Sequence, residues 1–444
     1  MRRRTYDRPP HGRLRTALRP LAVLFSAAAL LSAPLLPVSG ESAAGAAASA
    51  AERPGGGQER ASGQEWHGGW AASVQPPGRG LFPNWSQQGF ARQTLRQVVR
   101  VSNGGTGARF ELSNRYGTSA LNVAGATVGR TDRGAAVRKG TVRAVTFGGA
   151  ESVTVPAGGE LFSDAVPMRV RELESLTVTL YLAEPTGPAT YHMAASATSY
   201  RAPGDHRSDE SGEPFGETSL SWYYLSDVEV RGEGGARADG VVAFGDSITD
   251  GFASTVDADN RYPDELAERF VAEERPRSVL NHGISGNMIT FGTPGTGESG
   301  VDRFRKDVLA EPGVSTVIVL AGINDIGLGR PGGQIPDVSV EQLIAAHRDV
   351  VAQAHDAGLK VIGATLVPFE GASYFTERGE EKRDAVNEWI RTSGAYDAVV
   401  DLDRVLADPA DADRLAPAYD SGDHLHPSDA GYHAMAEAID VGAL

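Results

Sequence analysis

The alternation of hydrophobic and polar positions divides the chain into two regions. Between residues 66 and 230, short runs rich in β-branched and apolar residues are separated by clusters of Gly, Asn, Pro and Asp. The clearest runs lie at residues 97–101, 108–112, 152–155 and 176–182. Many short strands with regular turn signals are typical of a β-sandwich or jelly roll. We therefore predict an all-β domain for this region.

From residue 241 the pattern changes to an alternation of strands and helices. The clearest helix begins after Ser339, where Gln342 completes a capping box, and ends before Gly358. Five apolar runs are typical of buried parallel strands and lie at residues 241–244, 279–280, 314–320, 361–366 and 398–400. This alternation predicts a doubly wound α/β fold, with a flavodoxin-like parallel sheet of five strands. Such sheets place their sites beyond the carboxyl ends of the strands.

The N-terminus has the pattern of an export signal. Seven arginines precede an apolar run at residues 21–36, and small residues follow at 42–50. This order is typical of a secretory signal peptide, and it leaves the Sec and Tat routes both open. A membrane anchor is the alternative, but Pro34 and Pro37 interrupt the run, which is shorter than the ~20 apolar residues of a spanning helix. We therefore predict a secreted, extracellular protein with no stable membrane insertion after signal cleavage.

Composition suggests where the domains begin and end. An Ala-, Gly- and Ser-rich stretch follows the signal, and a connector rich in Gly and charged residues separates the two patterned regions. The predicted organisation is a signal peptide and leader at 1–50, a disordered linker at 51–65, a β-sandwich accessory domain at 66–230, a second linker at 231–240, and the α/β domain at 241–444.

Charge and cysteine content exclude several classes of function. The formal net charge is −15, and removal of the first 50 residues, which hold seven arginines and two acids, leaves −20. A protein with this negative charge repels the phosphate backbone of nucleic acids. Nucleic acid is therefore excluded as a partner. The chain has no cysteine, so it has no disulfide, no thiol nucleophile and no Cys-ligated zinc.

Candidate catalytic residues follow the ends of the predicted strands. Ser247 follows the first strand in a Gly-Asp-Ser turn, Gly286 follows the second strand, and Asn324 follows the third. Asp423 and His426 stand just before the last predicted helix, so one short loop can hold the carboxylate against the imidazole. Acyl transfer needs a hydroxyl nucleophile, an oriented base and donors for the developing oxyanion, which are the groups that these positions supply.

The four short motifs that contain Ser247, Gly286, Asn324 and the Asp423–His426 pair resemble those of the SGNH (GDSL-type) hydrolase superfamily. The resemblance extends over roughly residues 240–444. The longer strings at 244–251, 283–287 and 423–427 are similar to secreted bacterial arylesterases and xylan-active acylhydrolases. The resemblance implies a carboxylic ester hydrolase, and we predict no cofactor and no metal. The roles it implies are the nucleophile Ser247, the base His426, its orienting group Asp423, and an oxyanion hole formed by the N–H of Ser247 with Gly286 and Asn324.

Two alternatives concern the residues around the base. His424 and His426 form a His-x-His pair that could supply two metal ligands, although no further ligand cluster accompanies them. Asp420 is a second candidate for orienting His426 if Asp423 points elsewhere. We favour the serine triad over a metal-dependent hydrolase.

Other polar and aromatic residues have structural explanations. Asp246 and Asp250 could be taken for a glycosidase carboxylate pair, but we expect Asp246 to brace the turn and Asp250 to cap the next helix. Asp325 is expected to be structural, and His282 to pack within its loop. The α/β-hydrolase class is excluded because its G-x-S-x-G motif is absent. Core packing is preferred over sugar stacking for the four tryptophans of the β-rich region, Trp66, Trp70, Trp85 and Trp222.

The substrate is the least determined part of the sequence prediction. A loop at residues 368–379 carries Phe369, Tyr374 and Phe375, which we predict to line a pocket for an aryl group, an acyl group or a sugar ring. We predict a serine ester hydrolase that deacylates polysaccharide or small aryl and acyl esters. The alternatives are a lipase or phospholipase acting on longer acyl chains, and a non-catalytic carbohydrate-binding protein on a hydrolase scaffold.

Overall fold

The computed structural model describes residues 66–232 and 239–444. The predicted signal peptide and leader at 1–50, the predicted linker at 51–65 and residues 233–238 of the second predicted linker lie outside the described residues.

Between residues 66 and 232 the chain forms strands and no helix. The strands are β1 (Trp66–Ala71), β2 (Gln93–Arg100), β3 (Ala108–Ser113), β4 (Leu121–Val123), β5 (Gly125–Arg133), β6 (Ala136–Val137), β7 (Arg143–Val145), β8 (Val153–Val155), β9 (Glu160–Phe162), β10 (Ser175–Leu182), β11 (Tyr191–His192), β12 (Ser199–Pro203), β13 (Glu217–Ser219), β14 (Trp222–Tyr223) and β15 (Leu225–Arg231).

Two antiparallel sheets dominate this region. One has four strands in the order β1-β15-β3-β9, and the other runs β13-β12-β2-β10-β5-β6, with β7 also paired to β5. Leu95 and Val178 of the larger sheet share one hydrophobic core with Phe110 and Val228 of the smaller sheet. The two sheets therefore form the all-β structure that the short apolar runs predict.

The tryptophans of this region serve mainly as core residues. Trp70, Trp85 and Trp222 are buried in the shared core, and the rings of Trp70 and Trp222 meet edge to face at 4.7 Å. Trp66 is partly buried, with the guanidinium groups of Arg109 and Arg231 over its ring. Core packing, rather than sugar stacking, accounts for the three buried tryptophans.

The second region alternates strands and helices. Its elements are β16 (Gly240–Gly245), α1 (Ser247–Asp250), α2 (Tyr262–Ala272), β17 (Val279–Gly283), α3 (Gly300–Asp307), β18 (Val314–Leu320), α4 (Ile323–Leu328), α5 (Val340–Asp356), β19 (Lys360–Ala364), α6 (Glu377–Thr392), β20 (Ala398–Val400), α7 (Leu402–Leu406), β21 (Ala407–Asp408), β22 (Asp411–Leu415) and α8 (Asp429–Ala438).

The main sheet of this region is parallel and has five strands. Their order is β17-β16-β18-β19-β20, which is the flavodoxin-like arrangement and confirms the predicted fold class. The capping box of Ser339 and Gln342 begins α5 as predicted, and Gly358 follows the helix with a φ of 77°. Since all five strands run the same way, their carboxyl ends lie at one edge of the sheet.

The β-rich region packs directly on the α/β region. Gly68 of β1 approaches Leu280 of β17 so closely that an added Cβ would lie 2.6 Å from the Leu280 side chain. Ala71, also in β1, belongs to the hydrophobic core of the α/β region. Side chains of the β-rich region can therefore reach the edge of the parallel sheet at which its strands end. In the described part of the chain, no helix is both long and apolar enough to cross a bilayer.

Candidate active site

The candidate nucleophile lies at the carboxyl end of β16, the second strand in the order of the parallel sheet. Ser247 is the first residue of α1, and Asp246 caps this short helix by accepting a hydrogen bond from the N–H of Ile248 at 3.0 Å. Asp246 thus braces the turn, as expected. Complete burial raises the pKa of this carboxyl to about 7, and its second oxygen bonds no described residue. The Ser247 side chain is held in a fixed turn.

Ser247, His426 and Asp423 form a continuous series of hydrogen bonds. Oγ of Ser247 lies 2.8 Å from Nε2 of His426, and Nδ1 of His426 lies 2.6 Å from Oδ2 of Asp423. Since a carboxylate accepts, Nδ1 carries the proton and Nε2 is free to accept from the Ser247 hydroxyl. Burial raises the pKa of Asp423, but its hydrogen bonds and charge interaction with His426 outweigh this and lower the pKa to about 2.

The neighbouring histidine has its own carboxylate. Nδ1 of His424 lies 2.6 Å from Oδ2 of Asp420, and the N–H of His424 donates to Oδ1 of the same residue. Asp420 therefore orients His424, and Asp423 orients His426. The two histidines bond separate carboxylates, and His424 is exposed whereas His426 is mostly buried.

Gly286 follows β17 and has a backbone that favours glycine. Its φ is 80°, and an added Cβ would lie 3.1 Å from the Thr296 side chain. Among the described residues, none accepts a hydrogen bond from the N–H of Gly286. The residue is partly buried. An unpaired backbone donor on a partly exposed residue is suited to binding a developing oxyanion.

Asn324 supplies a side-chain donor at the end of β18. Its Nδ2 donates to the carbonyl oxygen of Asn287 at 3.0 Å, which leaves the second amide hydrogen available. The hydroxyl of Tyr374 lies 3.5 Å from Oδ1 of Asn324. Asp325 next to it is structural, as expected, because its carboxylate accepts hydrogen bonds from the N–H groups of Ile289 and Thr290.

Two sequence predictions near the site need correction. Phe369 has no exposed surface and lies in the hydrophobic core, and Tyr374 is 9% exposed with its hydroxyl towards Asn324. Phe375 is partly buried and packs on the Phe369 ring, 5.1 Å between centroids. Asp250 does not cap the next helix, whose N-cap is Arg261. It is instead a buried acceptor, 2% exposed.

Aromatic side chains that the sequence analysis missed lie beside the candidate base, His426. The ring centroid of Phe252 is 4.5 Å from that of His426, and Phe82 of the β-rich region stacks on Phe252 at 5.9 Å. Both phenylalanines are partly exposed. Phe252 directly follows the Gly-Asp-Ser block, which is a usable local signal, whereas nothing near Phe82 in the sequence points to the site.

Comparison with known proteins relates the α/β region to a family. Residues 243–434 match the model of the GDSL-like lipase/acylhydrolase family. The match includes all the candidate catalytic residues, and this part of the chain belongs to the SGNH (GDSL-type) hydrolase superfamily. The α/β region is accordingly a hydrolase domain. A comparison with curated proteins found no match.

Several solved structures are similar to a little under half of the chain. An acetyl xylan esterase variant from Geobacillus stearothermophilus is 21% identical, with a TM-score of 0.37, over 46% of this chain and 93% of its own. A lipase/acylhydrolase from Enterococcus faecalis is 20% identical, with a TM-score of 0.36, over 45% and 92%. A GDSL-like lipase from Bacteroides thetaiotaomicron is 20% identical, with a TM-score of 0.34, over 46% and 88%.

Proposed function

We propose that the protein is a secreted serine ester hydrolase in which Ser247 is the nucleophile, His426 the general base and Asp423 the group that orients the base. The observation that carries the proposal is the 2.8 Å contact between Oγ of Ser247 and Nε2 of His426. A histidine whose Nδ1 donates to a carboxylate presents Nε2 as an acceptor, which is the form that removes a hydroxyl proton.

The first half of the reaction forms an acyl-enzyme. Oγ of Ser247 attacks the ester carbonyl carbon while its proton passes to Nε2 of His426. Negative charge then develops on the carbonyl oxygen, where the N–H groups of Ser247 and Gly286 and the amide of Asn324 stabilise it. When the tetrahedral intermediate collapses, the alcohol leaves with the proton that His426 held.

The second half repeats these steps with water. His426 takes a proton from a water molecule, whose oxygen attacks the acyl carbon bonded to Ser247. Collapse of the second tetrahedral intermediate returns the proton to Oγ of Ser247 and releases the carboxylic acid. Water is consumed, an acid and an alcohol are produced, and no cofactor takes part.

For the substrate we propose short acyl esters of a polysaccharide, with small aryl esters also accepted. The side chain of Asp423 is 44% exposed, so the orienting carboxylate lies near the surface of the protein. The aromatic residues of the loop at 368–379 are wholly or partly buried, so they offer little surface to a long acyl chain. An open site of this kind favours a small acyl group carried by a bulky alcohol.

The test is hydrolysis of 4-nitrophenyl acetate by the wild type and by Ser247→Ala. We expect at least a ~10³-fold loss of kcat in the variant, because the nucleophile is absent, with unchanged thermal unfolding. Ser254→Ala is a matched control, since the Ser254 hydroxyl only donates to the Gly251 carbonyl. Undiminished turnover by Ser247→Ala would overturn the proposal. Failure of a fluorophosphonate to label Ser247 in the wild type would instead favour a non-catalytic binding protein.

Export is a separate part of the proposal. It rests on the arginine-rich start and apolar run of residues 1–50. Expression of the full chain in a bacterial host with N-terminal sequencing of the product tests it. We expect a product in the medium whose N-terminus lies near residues 42–50, and a protein retained in the cell with its signal intact would contradict export.

A further inference from the structure

A series of buried hydrogen bonds connects the β-rich region to the loop at residues 283–287. This loop carries Gly286, and we name it the oxyanion loop. Nε2 of His192, in β11, lies 2.9 Å from Oδ1 of Asp250. Oδ2 of Asp250 accepts hydrogen bonds from the N–H and the hydroxyl of Ser285, at 2.8 and 2.6 Å. Ser285 directly precedes Gly286, so these bonds fix the residue next to the unpaired N–H.

This chain of contacts is closed to bulk water. His192 and Asp250 are each 2% exposed, and Ser285 is 1% exposed. Solvent therefore cannot replace a partner that is removed, and the group left behind must either lose its hydrogen bond or move. A change at His192 is consequently transmitted to the oxyanion loop.

The hydrogen-bond partners define the protonation of His192. Nδ1 lies 2.8 Å from the carbonyl oxygen of Ser73, which only accepts, and Nε2 faces the carboxylate of Asp250. Both ring nitrogens therefore donate, and the ring is an imidazolium paired with a carboxylate. Burial and Arg261 lower the pKa of His192, but the charge of Asp250 and the two hydrogen bonds outweigh them, so the pKa is raised.

Asp250 connects the nucleophile to the oxyanion loop. It is the last residue of α1, the four-residue helix that Ser247 begins. Gly283, at the start of the oxyanion loop, lies so close to this helix that an added Cβ would be 2.2 Å from the backbone nitrogen of Asp250. Asp250 therefore contacts the oxyanion loop from the same short helix that Ser247 begins.

We propose that His192 is a positioning residue for ester hydrolysis: through Asp250 and Ser285 it holds the N–H of Gly286 where the oxyanion forms. The inference rests on the proposed function and deepens it. It also makes the β-rich region part of the catalytic unit, because that region supplies His192 and its second partner, Ser73.

Two amide substitutions separate the two hydrogen bonds of His192. His192→Gln places an amide nitrogen near the position of Nε2 and retains the donor to Asp250. His192→Asn places it near the position of Nδ1, which retains the donor to Ser73 and removes the donor to Asp250. We expect His192→Asn to lower kcat on 4-nitrophenyl acetate by about 10- to 100-fold, with little change in KM, because the oxyanion exists only in the transition state. His192→Gln should recover most of kcat.

A control variant tests whether any loosening of the interface has the same effect. Arg100 of β2 forms an ion pair with Glu268 of α2, 2.7 Å apart, outside the chain of contacts from His192 to Ser285. Arg100→Gln should leave kcat near the wild-type value. Equal losses in Arg100→Gln and His192→Asn, or equal losses in the two His192 variants, would overturn the proposal in favour of a merely structural role.

A variant at Ser285, at the other end of this series of hydrogen bonds, covers the case in which His192→Asn does not fold. Ser285→Ala removes only the hydroxyl donor to Asp250, and we expect kcat to fall about 2- to 10-fold. Unchanged kcat in Ser285→Ala or in folded His192→Asn would overturn this inference alone, provided that the wild type shows turnover that depends on Ser247. A wild type without such turnover would overturn the proposed function as well.

Discussion

Asp423 accepts a hydrogen bond from Nδ1 of His426 at 2.6 Å, and its other oxygen accepts the N–H groups of His426 and Leu425. The carboxylate thus fixes both the tautomer and the orientation of the ring. Asp423→Asn would present an amide donor to Nδ1, which favours the tautomer whose Nε2 is protonated and cannot accept from Ser247. We expect steady-state kinetics on 4-nitrophenyl acetate to show kcat about 10⁴-fold lower.

Asp420→Asn is the matched control for that experiment. Asp420 lies in the same loop and makes the same kind of contact, at 2.6 Å, with His424. We expect this variant to keep kcat close to the wild-type value. If both substitutions reduced kcat equally, the loss would reflect disruption of the loop rather than of the base.

Asn324→Ala tests the side-chain donor of the oxyanion hole. Its Nδ2 donates one hydrogen bond to the carbonyl of Asn287, which leaves the second amide hydrogen available. We expect kcat to fall about 10²- to 10³-fold with KM nearly unchanged. Tyr374→Phe should have a much smaller effect, because its hydroxyl is 3.5 Å from Asn324, at the limit of a hydrogen bond. A KM effect without a kcat effect in Asn324→Ala would contradict the assignment.

The expected acyl-chain preference follows from the burial of the aromatic residues in the loop at 368–379. Phe369 lies in the core and the ring of Phe375 packs against it, so this loop offers little apolar surface to a long chain. We expect kcat/KM on 4-nitrophenyl esters to fall steadily from acetate to dodecanoate. A maximum at octanoate or longer would favour a lipase or phospholipase, the alternative on the same scaffold.

Stability should depend on buried acids where the two regions meet. Asp227 is 5% exposed, and burial together with the nearby Glu311, Glu229 and Glu111 raises its pKa well above the usual value. Burial also raises the pKa values of Glu111 and Glu229 to about 7. The unfolded chain releases these protons near pH ~4, so the folded chain binds more protons between about pH 4 and 7 and its free energy of unfolding falls as the pH rises.

Asp227→Asn isolates one of these groups. Because the amide does not titrate, we expect the Tm of the variant to fall less than that of the wild type between about pH 5 and pH 8. Glu151→Gln, at an exposed acid, serves as a control that should keep the wild-type pH dependence. Parallel Tm curves for Asp227→Asn and the wild type would show that Asp227 stays ionised in the folded protein.

Local patterns were sufficient to predict several features. The run at residues 314–320 matches β18 in full, and the Ser339–Gln342 capping box begins α5, because both depend on neighbours within one element. The spacing of Asp423 and His426 was equally informative, since a three-residue loop brings the carboxylate to the ring by local geometry alone. The family resemblance added a prediction of which residues form one site.

Other features depended on contacts that local patterns do not contain. An aromatic residue has the same apolar character in a pocket and in a core, so Phe369 was placed in the pocket by mistake. Asp250 was expected to cap a helix because carboxylates commonly do so, but His192 and Ser285 provide buried donors instead. Neither donor is close to Asp250 in the sequence.

The sequence by itself determined the succession of strands and helices, the turn that presents Ser247 and the short loop that pairs Asp423 with His426, because each is set by residues a few positions apart. Only the tertiary structure decided how the β-rich region meets the α/β region, and with it the contacts of His192 with Asp250 and of Phe82 with Phe252. Those contacts join residues 58 or more positions apart, and their formation depends on how two sheets pack, which no local spacing specifies.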